Sequence, residues 1–284
     1  MKIGIALSGG GIRGIAHAGV LKALEENNIK IDVIGGTSAG GMVASLYAMG
    51  IEPEEIHILF KKHAKEIIGV NKMPFLSKLL KYSFNKKMTL TGFNNGEAIE
   101  KVYNKIAEER KIEKINQIQM PLVITTVDIM KSKEYIFTNN IPRNEEDKSK
   151  YIKDVTVGKA VRASSSFPAV FMPCKIDEYA FMDGGVLDNV PVEEVRKQGV
   201  DKVLAVKFDA DKIEKDSNLM DIAMKTIDIM GNKISEESLK KSDYVLNVYT
   251  DKVGLLDIKK LDKCYEYGYQ SVMKNINEIK KALQ

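Results

Sequence analysis

Short apolar runs recur along the chain at residues 3–7, 32–35, 121–127, 135–138, 203–208 and 244–249, rich in Val, Ile and Leu. Runs of this length without regular polar alternation are typical of strands covered on both faces. Between them lie longer segments whose apolar residues return every three to four positions, the period of a helix with one buried stripe. Helices are expected from the glycine-rich stretch at 9–14 to about residue 27, then over 39–49, 155–163, 219–241 and 257–283. This alternation predicts an α/β fold, a mostly parallel central sheet flanked by helices. The polar stretch 139–150 predicts a surface loop. With no internal repeat, linker or low-complexity tract, residues 1–284 read as one domain. Within it, about 52–119 is expected to be a helical cap insertion and about 257–284 a C-terminal helix.

The segment 60–87 breaks the general pattern. It holds eight lysines against one acid, Glu66, whereas the whole chain carries a net charge of only +4. A helix beginning at Pro74 would place Phe75, Leu76, Leu79, Leu80 and Phe84 along one side, with Lys78 and Lys81 beside them. Such a helix is either a cap packed on the sheet or an interfacial element that docks on anionic lipid. The packed cap is the more economical reading, because an apolar helix face is more often core than membrane contact. Nucleic acid is a poor fit, since no recognisable binding module accompanies the basic run.

Chemistry enters at two glycine-rich turns. Gly36-Thr37-Ser38-Ala39-Gly40 follows the second apolar run and precedes a helix. A serine there stands on a tight strand-to-helix turn that tolerates only small neighbours two residues away. The free N–H groups of the following helix favour negative charge developing near its hydroxyl. Upstream, Ser8-Gly9-Gly10-Gly11-Ile12-Arg13-Gly14 follows the first strand. A phosphate loop would need Gly-Lys-Ser/Thr at its end, and Arg13-Gly14-Ile15 does not supply it. The spacing of Gly9, Gly11 and Gly14 fits a dinucleotide fingerprint, but Asp32 stands at the start of the second strand rather than its end. A cradle for an oxyanion fits better, because the second strand ends in the serine turn.

Phe181-Met182-Asp183-Gly184-Gly185 is a strand end followed by an acid and a glycine turn, on its own an ordinary turn signal. The histidine count gives it weight. His17, His57 and His63 are the only histidines, so the order Ser…Asp…His is excluded with Asp183 as the acid. A base for Ser38 is therefore an early histidine or a carboxylate. His17 falls in the first helix and reads as a packed or surface residue; His57 and His63 do not share a helix face. None of the three reads as a base.

In order and spacing, Gly9-Gly10-Gly11-Ile12-Arg13-Gly14, Gly36-Thr37-Ser38-Ala39-Gly40, Ala160-Val161-Arg162-Ala163-Ser164-Ser165-Ser166-Phe167-Pro168 and Asp183-Gly184-Gly185 resemble the patatin-like phospholipases, in particular their small stand-alone bacterial members. The resemblance runs from residue 2 to about 210. It implies a patatin-like three-layer fold and a hydrolase of lipid acyl esters that works through a Ser–Asp dyad without metal or cofactor. Ser38 would be the nucleophile and Asp183 the general base. The N–H groups of Gly10 and Gly11, with Ile12, would hold the oxyanion. Arg13 would either contact a lipid phosphate or brace the loop by a salt bridge. The serines at 164–166 are expected to support the site rather than react. Residues 52–119 and the last seventy match no family motif, so no function is carried over to them.

A soluble, globular protein fits the 44% hydrophobic and 29% charged composition. No apolar stretch reaches the roughly 18 residues of a membrane span, and the N-terminus lacks the apolar core of a signal peptide. Cys174 and Cys264 are expected to be free thiols. The expected location is cytoplasmic, with peripheral contact on the inner membrane face if the 60–87 segment docks on lipid. The expected partner is a lipid or acyl-ester substrate.

Overall fold

The computed structural model describes residues 1–68, 94–168, 170–209, 219–251, 253–254 and 257–284. Its strands are β1 (Ile3–Leu7), β2 (Val33–Thr37), β3 (Leu122–Asp128), β4 (Lys133–Thr138), β5 (Tyr151–Ile152), β6 (Cys174–Ile176), β7 (Tyr179–Asp183), β8 (Lys202–Phe208) and β9 (Tyr244–Val248). Seven lie side by side in the order β5-β4-β3-β2-β1-β8-β9. Every neighbouring pair is parallel except β3 and β4, which form an antiparallel hairpin. The remaining two, β6 and β7, form an antiparallel pair that joins the sheet through β3.

The helices are α1 (Ala16–Glu26), α2 (Ala39–Ala48), α3 (Pro53–Ile68), α4 (Glu97–Glu109), α5 (Val157–Ser164), α6 (Val192–Arg196), α7 (Leu219–Leu239) and α8 (Leu261–Leu283). They cover the two faces unequally, and strand alternation shows how. Ile5, Leu7, Ile34, Leu122, Ile124, Phe137, Leu204 and Val206 point into a large core shared with α1, α2, α4, α5 and α8. Their strand neighbours Ala6, Val33, Val123, Ile136, Val203 and Ala205 point into a smaller core with Val192 and Val195 of α6. Both faces of each central strand are thus dry, which is why these strands read as unbroken apolar runs. No helix among the described residues is long and apolar enough to cross a membrane.

The expected helix at 9–27 is split: a 3-10 turn at Gly11–Ile15 precedes α1. The helix α8 packs along α1 at unusually short range. A Cβ on Gly268 would lie 1.9 Å from the Ala16 carbonyl oxygen, and one on Gly19 would lie 2.0 Å from that of Tyr265. Gly268→Ala is therefore expected to cost about 3 kcal/mol in overpacking, of which helix propensity returns about 1 kcal/mol. Urea unfolding reads this as a lowered midpoint at unchanged slope. An unaltered midpoint would show that the two helices can move apart.

Of the segment 60–87, only residues 60–68, the end of α3, are described. The helix expected from Pro74 lies outside the described residues.

Candidate active site

The strand β3 acts as a ruler that sets two chain ends against each other. Its first half pairs with β2, bringing Thr37 opposite Thr125. Its second half continues past the end of β2 and pairs instead with β7, bringing Asp183 opposite Thr126. Residues 37 and 183 therefore dock at successive positions of one strand edge, approaching from opposite directions. Ser38 is the next residue after Thr37, so the register alone sets it beside Asp183. A hydrogen bond between the hydroxyls of Thr37 and Thr125, 2.6 Å long, pins this junction.

Ser38 carries backbone angles of φ 54° and ψ −121°. This is a conformation that β-carbons disfavour, held here by its surroundings. The turn closes so tightly that a Cβ on Gly36 would sit 2.3 Å from the backbone carbon of Gly40. One on Gly40 would sit 2.3 Å from the Leu7 carbonyl oxygen. The Ser38 N–H donates to Ser164 Oγ at 2.9 Å, tying the turn to the end of α5. The next residue begins α2, whose N-terminus lies under the serine.

The glycine-rich loop is held from several sides. The N–H of Gly9 is shared between the carbonyl and the side-chain Oδ1 of Asn189, at 3.2 and 3.1 Å. Gly11 and Ile12 open the 3-10 turn, and the first N–H groups of such a turn have no partner within it. Arg13 is 2% exposed. Its guanidinium donates to the carbonyls of Gly10 and Asp209, pairs with Asp228 at 3.0 Å and lies over the Phe208 ring. Of its two expected roles, the structure shows the brace. Gly14 lets the loop rest on the serine turn: a Cβ there would lie 2.3 Å from that of Ala39.

His17 is fully buried behind the same loop, 2.8 Å from the Ser8 carbonyl through Nε2. A carbonyl can only accept, so Nε2 carries the proton. Burial lowers its pKa to about 4, which keeps the ring neutral. His57 stacks on Tyr265 and pairs with Asp262, and His63 pairs with Glu66. Among the described residues, no histidine lines the cavity beside Ser38.

That cavity, about 1040 Å³ with its open mouth, is lined by Gly9, Gly10, Gly11, Ile12, Ser38, Asp183 and Gly185 together. Gly14, Gly36, Gly40, Gly184 and Arg13 stand behind its wall and shape it. Asp183 is 3% exposed; its Oδ1 accepts the Gly185 N–H at 2.9 Å, and Oδ2 has no hydrogen-bond partner of ordinary length. Burial raises its pKa to about 6, while the Ser38 hydroxyl and the Gly185 N–H pull it back down. A carboxylate so placed takes up a proton far more readily than one in water.

The rest of the wall is apolar. Phe60, Ala64, Ile67 and Ile68 of α3 line it, together with Ile99 of α4 and Phe167, Val170 and Phe171. These α3 positions follow the helical spacing i, i+4, i+7 and i+8, a stripe the lysines around it conceal. Asn189 also escapes notice in the sequence, since an asparagine six residues after Asp183 announces nothing by itself.

The sequence profile described as Patatin-like phospholipase matches residues 5–196. The chain is 29% identical over 293 residues to Lysophospholipase NTE1 of Candida albicans, covering 94% of this chain and 19% of that protein. To Lysophospholipase NTE1 of Eremothecium gossypii it is 33% identical over 204 residues, covering 72% and 12%. The chain thus spans about a fifth or less of the length of these relatives. Among solved structures it is similar to the ExoU–SpcU complex of the Pseudomonas aeruginosa type III secretion system, with a TM-score of 0.54 and 21% identity. That match covers 100% of this chain and 52% of the other. VipD from Legionella pneumophila gives a TM-score of 0.52 at 16% identity, covering 98% and 67%. At these identities the two structures speak for the fold alone.

Proposed function

Since this chain belongs to the patatin-like phospholipase family, we propose that it hydrolyses acyl esters of lipids through Ser38 and Asp183. The observation that carries this reading is the meeting of Ser38 and buried Asp183 on one wall of an apolar cavity, where no described histidine competes for the role of base. Ser38 Oγ attacks the ester carbonyl as Asp183 accepts its proton, and the alcohol leaves with that proton. The N–H groups of Gly10, Gly11 and Ile12, together with the N-terminus of α2, stabilise the oxyanion. The acyl chain lies along Phe60, Ala64, Ile67 and Phe171, where its burial contributes binding energy. Water then releases the fatty acid from Ser38.

The relatives named lysophospholipases make a monoacyl phospholipid the first substrate to test. Purified protein is expected to release fatty acid from lysophosphatidylcholine with a higher kcat/KM than from a water-soluble short-chain ester. Hydrolysis confined to acyl thioesters, or to short soluble esters, would replace this reading with a thioesterase or a carboxylesterase on the same dyad. No release from any acyl donor would leave a lipid-binding scaffold.

A further inference from the structure

The polar side chains on the described cavity wall are few: Ser38, Ser165, Asp183, Asn189 and Asp228. Two of them already have partners. Asn189 commits Oδ1 to the Gly9 N–H, and Asp228 is paired with Arg13 and Lys225. Ser165 is different. It is 5% exposed, and its Oγ is buried without any hydrogen-bond partner. Its two neighbours are tied to the reacting pair: Ser164 Oγ accepts the Ser38 N–H, and the Ser166 carbonyl accepts the Asp183 N–H at 3.1 Å. The chain from 164 to 166 therefore runs along both residues, with the unpartnered hydroxyl between its two anchors. The second oxygen on this wall without a hydrogen-bond partner of ordinary length is Asp183 Oδ2; the Ser38 hydroxyl, which acts on this carboxylate from farther off, is withdrawn once Ser38 is acylated.

A buried hydroxyl left without a partner costs stability, so its retention at this place calls for a function. The proposed reaction has a step that needs one. Once Ser38 is acylated it no longer offers a proton, and a dyad has no third residue to orient the incoming water. A water held in a protein needs at least two polar partners. We propose that Ser165 Oγ and Asp183 Oδ2 together hold the water that deacylates Ser38. This rests on the Ser38–Asp183 reading above. The water oxygen bonds to the acyl carbon, and the water's proton passes to the Asp183 carboxylate. The bond from that carbon to Ser38 Oγ then breaks as Asp183 returns the proton to Ser38, leaving free acid and free enzyme. Ser165 gives and takes no proton; it fixes where the water sits, and is a positioning residue.

The test separates the two half-reactions in the full chain. With p-nitrophenyl butyrate in stopped flow, the first turnover reports acylation and later turnovers include deacylation. Ser165→Ala is expected to keep the first-turnover rate within about 2-fold while later turnovers slow by about 10- to 100-fold, the scale of a misplaced reactant. Intact mass should then show the butyryl form of the protein accumulating. Hydroxylamine, a nucleophile strong enough to dispense with positioning, should restore turnover. Ser165→Cys keeps the volume but bonds weakly to water, and should fall between the two; it stands in if the alanine variant folds poorly. Equal slowing of both phases, or no accumulation of the acylated form, overturns the water site. Labelling by a fluorophosphonate distinguishes the layers of the argument. If wild type and Ser165→Ala label alike and no acylated form builds up, only the water site fails. If wild type does not label at all, the dyad fails and the water site with it.

Discussion

Asp183→Asn is expected to lower kcat by on the order of 10⁴-fold with little change in folding, the scale seen when the acid of a hydrolytic site loses its charge but keeps its shape. The asparagine oxygen can still accept the Gly185 N–H, so the turn at Gly184–Val186 has no reason to move. What is lost is the group that takes the proton of Ser38. The pH profile carries an independent signature. Burial places the Asp183 pKa near 6, and the base works only when deprotonated. Activity of the wild type should therefore be full above this value and fall as pH drops through about 6, well above the range of an ordinary aspartate. The residual activity of the variant should lack that limb. A wild-type profile that stays flat down to pH 4 would remove Asp183 from the mechanism, as would a variant that keeps a large share of its rate.

The second large effect is steric. In Gly36→Ala the new methyl would meet backbone atoms only: the carbon and oxygen of Gly40 at 2.3 and 2.4 Å and the nitrogen of Gly41 at 2.6 Å. Backbone cannot rotate aside as a side chain can, so the turn must open and carry Ser38 away from Asp183. Turnover should fall by at least about 100-fold, since displacing a reacting group by about an ångström suffices for that. Stability should fall by about 3 kcal/mol, read as a melting temperature lower by roughly 8 °C. Gly254→Ala is the control, because among the described residues nothing lies within 4 Å of its would-be methyl. It should match the wild type in both respects. Full activity in Gly36→Ala would mean that the turn at Ser38 is looser than this geometry requires.

How much of this was legible in the sequence depends on whether the cause is local. The central strands could be read directly, because burial on both faces makes each a continuous apolar run. The two glycine turns could be read because close contact leaves glycine little alternative at Gly36 and Gly40 in one and at Gly14 in the other. The meeting of Asp183 with Ser38 is different in kind. It depends on Thr126 pairing with Asp183 across 57 positions of chain, and no local pattern encodes that register. The family resemblance supplied Asp183 where periodicity could not. The role of Arg13 stayed open for the same reason: its ion-pair partner, Asp228, is 215 residues away. The stripe Phe60, Ala64, Ile67 and Ile68 has helical spacing, but Lys61, Lys62 and Lys65 between its members mask its apolar character in the sequence. The supporting role of the serines at 164–166 was legible only through the family resemblance, and that Ser164 takes the Ser38 N–H is visible only when α5 is docked on the turn.

The most direct test of the central claim is intact mass after exposure to a fluorophosphonate, with wild type, Ser38→Ala and Asp183→Asn side by side. The account predicts one adduct on the wild type, none on Ser38→Ala and strongly slowed labelling of Asp183→Asn. An adduct that persists on Ser38→Ala would place the reactive group elsewhere and contradict the account. So would a wild type that stays unlabelled even with lipid vesicles present.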